Sequence, residues 1–415
     1  MNDESQRKGI RMNHDGSDCD SSVGESSFPA ADVDDGIHFK FVHANGITHR
    51  LASTWVDYSE PPRLGYPLLL FLHGFPESWY SWRYQLGFFR DKPFFAVAPD
   101  MRGYGSTSQP TSIEDYTMPV LSKDVVGIAK CLGYDKFILV GHDWGASLAW
   151  HVAMLHSSHV LGVVGLSVPF LGIGKRGFLT MLQEQYGRSL DMTLSKKERL
   201  KTRFHYIIHH SLPKAEEEYD KNAKELLYRI FSQRKDAEIT KGTPEYDPEG
   251  PMFDISRSLI NIDLDATVAP GLWYRLPRPR ALPSWLKQRD LDYFHAEFRR
   301  AGFAGALKWY QAMDRNFELV KMALTRPDGV VDDRIPVPSM FLMGSDDNVA
   351  LLYGGKKAIS TRIRKYVPYI VSDQLFVPNC GHWIQQEHPD LVNDSIWKFL
   401  SSSLVLVVKQ QHSKL

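Results

Sequence analysis

Cysteine is scarce in this chain, which has three in 415 residues. Cys19, Cys131 and Cys380 are too few and too widely spaced for a disulfide framework or a metal cluster, so we expect reduced thiols and no metal. Net charge is also missing, because 49 basic residues balance 49 acidic ones. A chain without a positive surplus is poorly suited to capture nucleic acid, and we expect no nucleic-acid partner.

Long apolar runs are missing as well. None approaches the roughly 20 residues that cross a bilayer as a helix, so we expect no membrane span. The first residues contain no hydrophobic stretch of the kind that a secretory signal requires, and we expect no such signal. Residues 1–35 are rich in Ser, Asp, Asn and Gly and poor in aliphatic side chains, which predicts a disordered segment.

The chain does contain a long alternation of apolar runs and helical patterns. In residues 36–56, apolar and polar side chains alternate on both sides of an Asn45-Gly46 turn, which predicts a β-hairpin. Helical patterns such as 118–133 and 146–156 then separate short runs that are apolar throughout, at 68–72, 94–98, 137–140 and 160–168. Strands that are apolar on both faces and alternate with helices predict an α/β fold with a mostly parallel sheet.

The alternation stops near residue 170 and resumes at 336–344 and 374–383. The intervening segments are helical, charged and punctuated by proline, and 236–282 has the composition of a long irregular loop. Because an insertion between two strands cannot join their sheet, we expect a cap over the carboxyl ends of the strands, where such sheets bind ligands.

These patterns predict four regions. The disordered segment 1–35 precedes an α/β core, and a short tail follows it. The core is formed by 36–170 and 336–403, the helical cap by 171–335, and the tail by 404–415.

Residues 141–145 read Gly-His-Asp-Trp-Gly between an apolar strand run and a helical pattern. The corresponding turn of many hydrolases reads G-x-S-x-G and exposes a nucleophilic serine. Here Asp143 replaces that serine. A carboxylate that attacks saturated carbon forms an alkyl ester that water can open, whereas a serine would form a stable ether. Asp143 therefore predicts substrates with an electrophilic sp³ carbon, such as an epoxide or an alkyl halide.

Opening that ester requires a general base with an orienting carboxylate. His382 follows the last strand pattern, where the Ser-Asp-His chain order of this fold places its histidine. Asp346 and Asp347 follow the preceding strand pattern, at the position of the orienting acid. Either could serve, and the spacing from Gly344 favours Asp347.

An oxyanion forms as water attacks the ester, and backbone amides must stabilise it. We expect one donor to be the amide of Trp144, at a helix N-terminus. The loop after the first apolar run reads His73-Gly74-Phe75-Pro76, and the Phe75 amide is the second candidate. We also expect His73 and the Trp144 side chain to contact substrate. This chemistry requires no cofactor.

Several motifs together resemble the soluble epoxide hydrolases of the α/β-hydrolase superfamily. The resemblance covers about residues 36 to 400, and it is specific as a set because the single motifs occur in many hydrolases. The motifs lie in 73–86, 99–110, 141–150, 282–317 and 380–389. The resemblance implies an α/β-hydrolase core with a helical cap, a small-molecule epoxide substrate, and the roles given above to Asp143, Asp347 and His382.

The resemblance also implies two cap tyrosines that hydrogen-bond the epoxide oxygen. Tyr310 matches one of these positions. Tyr206 matches the other by its spacing from Pro213, although His210 and Ser211 replace the aromatic residue and glutamine that usually surround it. A phenol, with a pKa of about 10, can donate a proton to the alkoxide that develops as the ring opens.

Other functions remain open on the residues alone. Haloalkane and haloacid dehalogenases share the fold and the carboxylate nucleophile. They need hydrogen-bond donors to the leaving halide, whereas an epoxide hydrolase needs an acid that protonates the epoxide oxygen. The two tyrosines therefore favour an epoxide substrate. A carboxylester hydrolase is disfavoured because Asp143 would form an anhydride. A non-catalytic binding protein on this fold is disfavoured because nucleophile, base, orienting acid and both tyrosines are present.

The last three residues, Ser413, Lys414 and Leu415, read as a peroxisomal address that an import receptor recognises. We therefore expect a peroxisomal location and an import receptor as partner. Peroxisomes handle fatty acyl chains, so an epoxy fatty acid or an epoxidised polyketide-like acid is a candidate substrate. The hypothesis extends to lipid metabolism or to a fungal secondary-metabolite or toxin pathway.

Overall fold

The computed structural model describes residues 36–55, 65–189, 206–232, 276, 279–372 and 375–404. The predicted disorder of 1–35, most of the predicted loop at 236–282 and the targeting residues of the tail lie outside these residues. The four predicted region boundaries therefore stay a prediction.

A sheet of eight strands occupies the centre of the described chain. The strands are β1 (His38–Ala44), β2 (Ile47–Ser53), β3 (Leu68–Leu72), β4 (Phe95–Pro99), β5 (Phe137–His142), β6 (Val160–Leu166), β7 (Ser339–Gly344) and β8 (Phe376–Val377). Their order across the sheet is β1-β2-β4-β3-β5-β6-β7-β8. The predicted hairpin forms the antiparallel pair β1–β2, β2 is antiparallel to β4, and the remaining neighbours are parallel.

The central strands are buried on both faces. Every residue of β3, β4 and β5 is buried, which explains why these segments read as continuous apolar runs rather than alternating ones. β5 lies between β3 and β6 in the middle of the sheet. Its carboxyl end is therefore surrounded by the loops that follow its neighbours.

Twelve α-helices are found among the described residues. They are α1 (Arg83–Phe89), α2 (Met118–Cys131), α3 (Trp144–Leu155), α4 (Phe178–Ser189), α5 (Tyr206–His210), α6 (Lys214–Phe231), α7 (Gln288–Ala301), α8 (Ala304–Gln311), α9 (Met313–Leu324), α10 (Lys356–Tyr366), α11 (Ile384–Glu387) and α12 (Pro389–Phe399). Short 3₁₀ segments lie at Trp79–Trp82, Ile113–Tyr116, Ser157–His159 and Asn348–Tyr353, and a π-helical turn at Leu400–Leu404. Helices α4 to α9 lie between β6 and β7, so the helical insertion enters the chain where the sequence predicts.

The inserted helices are joined to the core by buried polar contacts. Arg50 on β2 pairs with Glu297 on α7 at 2.7 Å, and the indole of Trp309 on α8 donates to the carbonyl of Arg102 at 3.0 Å. Buried charges and indoles need partners, so these contacts favour one arrangement of cap on core.

The sheet ends in a short strand, and the expectation of reduced thiols is wrong for one cysteine. The last strand, β8, spans two residues within the sheet pattern at 374–383, and Asn379 then turns the chain with a left-handed φ of 52°. Cys380 is a buried thiol, as expected, but Cys131 is disulfide-bonded. Sequence spacing cannot show which distant cysteines meet in space.

The described helices include none that is long and apolar enough to span a membrane. Within the same residues, no cluster of three or more His, Cys, Asp or Glu side chains could hold a metal ion.

Candidate active site

The chain turns sharply where β5 ends and α3 begins. Asp143 occupies this turn with φ 52° and ψ −119°, a conformation that L-residues rarely adopt. Such strain at a strand-to-helix turn is typical of a nucleophile elbow, because it lifts one side chain above the carboxyl edge of the sheet. Asp143 is 8% exposed, so its carboxylate lies in a nearly closed site.

Two glycines permit this turn by close approach of backbone. A Cβ on Gly145 would lie 2.0 Å from the carbonyl oxygen of Leu72, and a Cβ on Gly74 would lie 2.5 Å from Cβ and Oδ1 of Asp143. Neither position can hold a side chain without displacing the loop or the nucleophile. Gly74 therefore lets the loop after β3 pack directly against Asp143.

His382 lies between two carboxylates. Its Nδ1 is 2.9 Å from Oδ2 of Asp347, and its Nε2 is 3.6 Å from Oδ2 of Asp143. The contact is made by Asp347 and not by Asp346, which decides the alternative that the sequence left open. The second oxygen of Asp347 accepts from the amide of Val349 at 2.9 Å, so the carboxylate is fixed by the start of the following turn.

The charges of this triad shift its protonation. Burial lowers the pKa of His382, but the negative charges of Asp347 and Asp143 outweigh burial and raise that pKa well above the usual histidine range. Burial raises the pKa of Asp143, yet its hydrogen bond and attraction to His382 outweigh that effect and lower the pKa. Both shifts favour an ionised Asp143 beside a protonated imidazole.

The two oxygens of Asp143 have different surroundings. Oδ1 accepts a hydrogen bond of 2.9 Å from the Phe75 amide, while Oδ2 faces His382. Trp144, the second expected amide donor, is the first residue of α3, where backbone amides point out of the helix. Phe75 is thus placed as an oxyanion donor would be, on the oxygen away from the imidazole.

A cavity of about 640 Å³ opens above Asp143, and Tyr206 and Tyr310 both line it. Tyr310 packs edge-on against Phe75 and Trp144, with ring centroids 5.3 and 5.0 Å apart. Burial, and then the charge of Asp143, raise the pKa of each tyrosine well above the usual value. Both phenols therefore remain protonated and able to donate.

Comparison with known proteins agrees with this geometry. The family described as alpha/beta hydrolase fold matches residues 67–389. Epoxide hydrolase A of Mycobacterium tuberculosis is 31% identical over 363 residues, which are 87% of this chain and 97% of that protein. The chain belongs to the epoxide hydrolases of the α/β-hydrolase superfamily. Epoxide hydrolase 3 of Siraitia grosvenorii is 31% identical over 376 residues, 88% of this chain and 99% of that protein.

A solved structure agrees as well. The crystal structure of epoxide hydrolase A from Mycobacterium thermoresistibile superposes with a TM-score of 0.71 at 31% identity, covering 88% of this chain and 98% of that one. The predicted fold class is confirmed, and the chain is a hydrolase.

One residue that was expected to contact substrate, His73, does not line the cavity. His73 is 1% exposed, its Nδ1 lies 2.9 Å from the carbonyl of Gly74, and its Nε2 accepts from the amide of Met101 at 3.0 Å. With both nitrogens occupied inside the core, the ring has none left for a ligand. The expectation that His73 contacts substrate is wrong, and the residue instead fixes the loop that carries Phe75.

A buried polar network beneath the triad was missed in the sequence. Oε2 of Glu77 accepts from the amide of Gly74 at 2.8 Å and lies 2.7 Å from Nδ1 of His142. Nε2 of His142 lies 2.8 Å from the carbonyl oxygen of His382. Both nitrogens of His142 thus lie within hydrogen-bond distance of an oxygen. The network ties the loop of Phe75 to the backbone of His382.

No role was predicted from the sequence for two further side chains near the cavity. Tyr353 lines the cavity, and burial, followed by the charges of Asp143 and Asp347, raises its pKa. His210 packs 4.5 Å from the ring of Tyr310 and places Nδ1 3.1 Å from the hydroxyl of Tyr219. Burial lowers the pKa of His210 well below the usual range, so it supports the tyrosines as a neutral ring.

Proposed function

We propose that this epoxide hydrolase converts an epoxide to a vicinal diol through an alkyl ester on Asp143. The observation that carries the proposal is that the two carboxylate oxygens of Asp143 have different partners: Oδ1 accepts from the Phe75 amide, and Oδ2 lies near His382. An ester formed through Oδ2 leaves Oδ1 as the carbonyl oxygen, already placed at a backbone donor.

Ring opening is the first step. Oδ2 attacks one epoxide carbon, the carbon–oxygen bond of the ring breaks, and the electron pair of that bond goes to the epoxide oxygen. Tyr206 and Tyr310 donate hydrogen bonds to this oxygen as charge develops, and one of the phenols supplies its proton. Because both phenols stay protonated beside ionised Asp143, nucleophile and acid are ready in the same state of the site.

Hydrolysis of the ester is the second step. Alkylation removes the negative charge of Asp143, one of the groups that raise the pKa of His382. The pKa of His382 therefore falls once the ester exists, so the imidazolium gives its proton to the phenolate left by ring opening and becomes a neutral base. It accepts a proton from water, the hydroxide attacks Cγ, and the oxyanion on Oδ1 is stabilised by the Phe75 amide and, we propose, that of Trp144. Collapse breaks the ester bond, the diol oxygen takes the proton from His382, and the carboxylic acid formed on Asp143 then gives its remaining proton to His382, which restores the resting site.

This mechanism predicts where the oxygen of water goes. The attacking water enters the carboxylate of Asp143, and Oδ2 leaves in the diol. A single turnover in ¹⁸O-water with enzyme in excess should label the peptide that contains Asp143 and leave the diol unlabelled. Labelled diol together with unlabelled Asp143 would mean direct attack of water on the epoxide and would overturn the covalent mechanism.

We also propose, from the residues alone, that Ser413, Lys414 and Leu415 direct the enzyme to peroxisomes. A fluorescent reporter that carries residues 404–415 should co-localise with a peroxisomal marker, and the same reporter lacking Leu415 should be cytosolic. An intact reporter that stays cytosolic would overturn the proposal. It would also remove the basis for placing the reaction in lipid metabolism or in a secondary-metabolite or toxin pathway.

A further inference from the structure

The charges around the cavity are unevenly distributed. Among the described residues that line it, Asp143 is the one acidic side chain, whereas Lys175, Arg176 and Arg362 are cationic. Asp143 is buried, and the three cations are exposed. The cavity therefore runs from an anionic reaction centre to a cationic mouth.

Arg362 is directed toward the cavity by the helix that carries it. Ala358 and Arg362 are four residues apart on α10, so they share one face of that helix, and both line the cavity. Ile359 and Ile363 are fully buried on the neighbouring face. Because those two isoleucines anchor α10 in the core, the guanidinium of Arg362 is presented at the mouth from a fixed support.

Two of the three cations have no carboxylate partner within the described part of the chain. Arg176 is paired with Glu184, which neutralises it locally. Lys175 follows Gly174, and Arg362 lies on α10; no described carboxylate pairs with either of them. Two uncompensated positive charges at a cavity mouth favour a ligand that brings an anion.

Much of the remaining lining of the cavity is apolar. It includes Phe170, Leu171 and Ile173 from the segment after β6 and Val349 and Leu352 from the segment after β7. These apolar side chains offer no hydrogen bonds to a polar ligand, and covering them with a hydrocarbon chain is favourable. The apolar lining, the nucleophile Asp143 and the exposed cations together match a long substrate. Such a substrate would have its epoxide in an apolar part and a negatively charged terminus.

We propose that Lys175 and Arg362 form a carboxylate-binding subsite for an elongated amphiphilic epoxide, which they anchor by its terminus while the epoxide reaches Asp143. The inference rests on the proposed function, because it assigns a substrate class to the same cavity. An anchored terminus also fixes how far along the chain the epoxide lies, so the subsite sets which ring carbon Asp143 attacks.

The test compares an epoxy-stearic acid with its methyl ester, which differ in the terminal charge. The wild type should have a lower KM for the acid. The double variant Lys175→Gln/Arg362→Gln should raise KM for the acid by about 5- to 30-fold, because two exposed ion pairs with the substrate are lost. Its kcat for the acid should stay within about twofold of the wild type, and its KM for the ester should not change. Raising the salt concentration should weaken the preference of the wild type for the acid.

A matched control separates this effect from net charge. Lys357 is exposed on the same helix, α10, and does not line the cavity, so Lys357→Gln should leave KM for both substrates unchanged. The distribution of ¹⁸O between the two diol carbons, measured over many turnovers, gives a second readout. The double variant should lose regioselectivity on the acid, and its selectivity on the ester should match that of the wild type.

Equal kcat/KM for acid and ester in the wild type would overturn the carboxylate subsite, and turnover of the ester would show that the proposed epoxide hydrolysis still holds. A double variant that loses acid and ester turnover in equal proportion would also overturn it, since the residues would then act on folding or chemistry rather than on the anion. If neither substrate is turned over and neutral epoxides are also inert, the proposed function itself fails.

Discussion

Nε2 of His382 lies 3.6 Å from Oδ2 of Asp143, on the carboxylate oxygen opposite the one that the Phe75 amide holds. In the mechanism that we propose, this arrangement makes Oδ2 the attacking atom and Oδ1 the carbonyl oxygen of the ester. It also places the imidazole of His382 where it could accept a proton from a water that attacks Cγ of Asp143. The two steps of the reaction thus use different sides of the same side chain.

Replacing Asp347 with Asn should separate the two steps. Asn retains an oxygen that can accept from the Val349 amide, but it removes the main charge that raises the pKa of His382. We expect hydrolysis of the ester to slow by about 10²- to 10⁴-fold because the imidazole loses its orientation and charge support. Alkylation should change far less. Rapid-quench measurement of both rates checks this, and an equal loss in the two steps would contradict it.

Removing the phenols should affect the other step. Tyr206→Phe and Tyr310→Phe each leave one donor, so each should slow alkylation by about 10- to 100-fold. The double variant should fall by about 10²- to 10⁴-fold, the usual contribution of general acid catalysis. Hydrolysis of ester already formed should be little changed. Normal alkylation by the double variant would show that neither tyrosine supplies the acid.

Gly74→Ala should abolish the contact between the loop after β3 and the nucleophile. The added Cβ would lie 2.5 Å from Oδ1 of Asp143 and would force away the Phe75 amide, which we expect to lower activity by about 10²- to 10³-fold. Gly87→Ala is the control, because it lies in α1 with nothing within 4 Å of the new Cβ. That variant should keep full activity and gain about 0.5–1 kcal/mol of stability. Full activity in Gly74→Ala would refute the role of this contact.

The triad should give stability that depends on pH. The pKa of His382 is raised in the folded enzyme, so its contribution to the free energy of unfolding is fully present below about pH 6.5, the pKa of an unfolded histidine. The contribution is lost as pH rises through the folded pKa. Wild type should therefore exceed His382→Gln in stability at about pH 6, and the gap should narrow toward about pH 10. Urea unfolding across this pH range measures the difference in free energy of unfolding between wild type and variant. A difference that grows with pH would be inconsistent with a raised pKa of His382.

The sequence predicts the frame of this site well. Strands that are buried on both faces leave unmistakable apolar runs, and the residues that follow them meet at one edge of a parallel sheet. Asp143, Asp347 and His382 could be placed for that reason. Tyr206 and Tyr310 were accessible only through resemblance, since two aromatics in a helical insertion have no local signature.

The remaining residues could not be predicted because their roles depend on packing between distant segments. Glu77 accepts a hydrogen bond from Gln385, 308 residues away in the chain, and its approach to His142 has no sequence pattern. The prediction for His73 was wrong for a different reason. The residue adjoins Gly74 and Phe75 in sequence, yet its ring points into the core. Proximity along the chain does not fix the direction of a side chain.

The most direct test of the covalent mechanism is the intact mass of His382→Gln after exposure to a panel of epoxides and, separately, of haloacids. Without its base the enzyme should stall as the ester, and the mass should rise by that of the whole epoxide. Peptide mapping should place the adduct on Asp143, and Asp143→Asn in the same background should show none. A mass increase equal to that of a haloacid minus hydrogen halide would contradict the mechanism. So would an epoxide adduct that persists in Asp143→Asn.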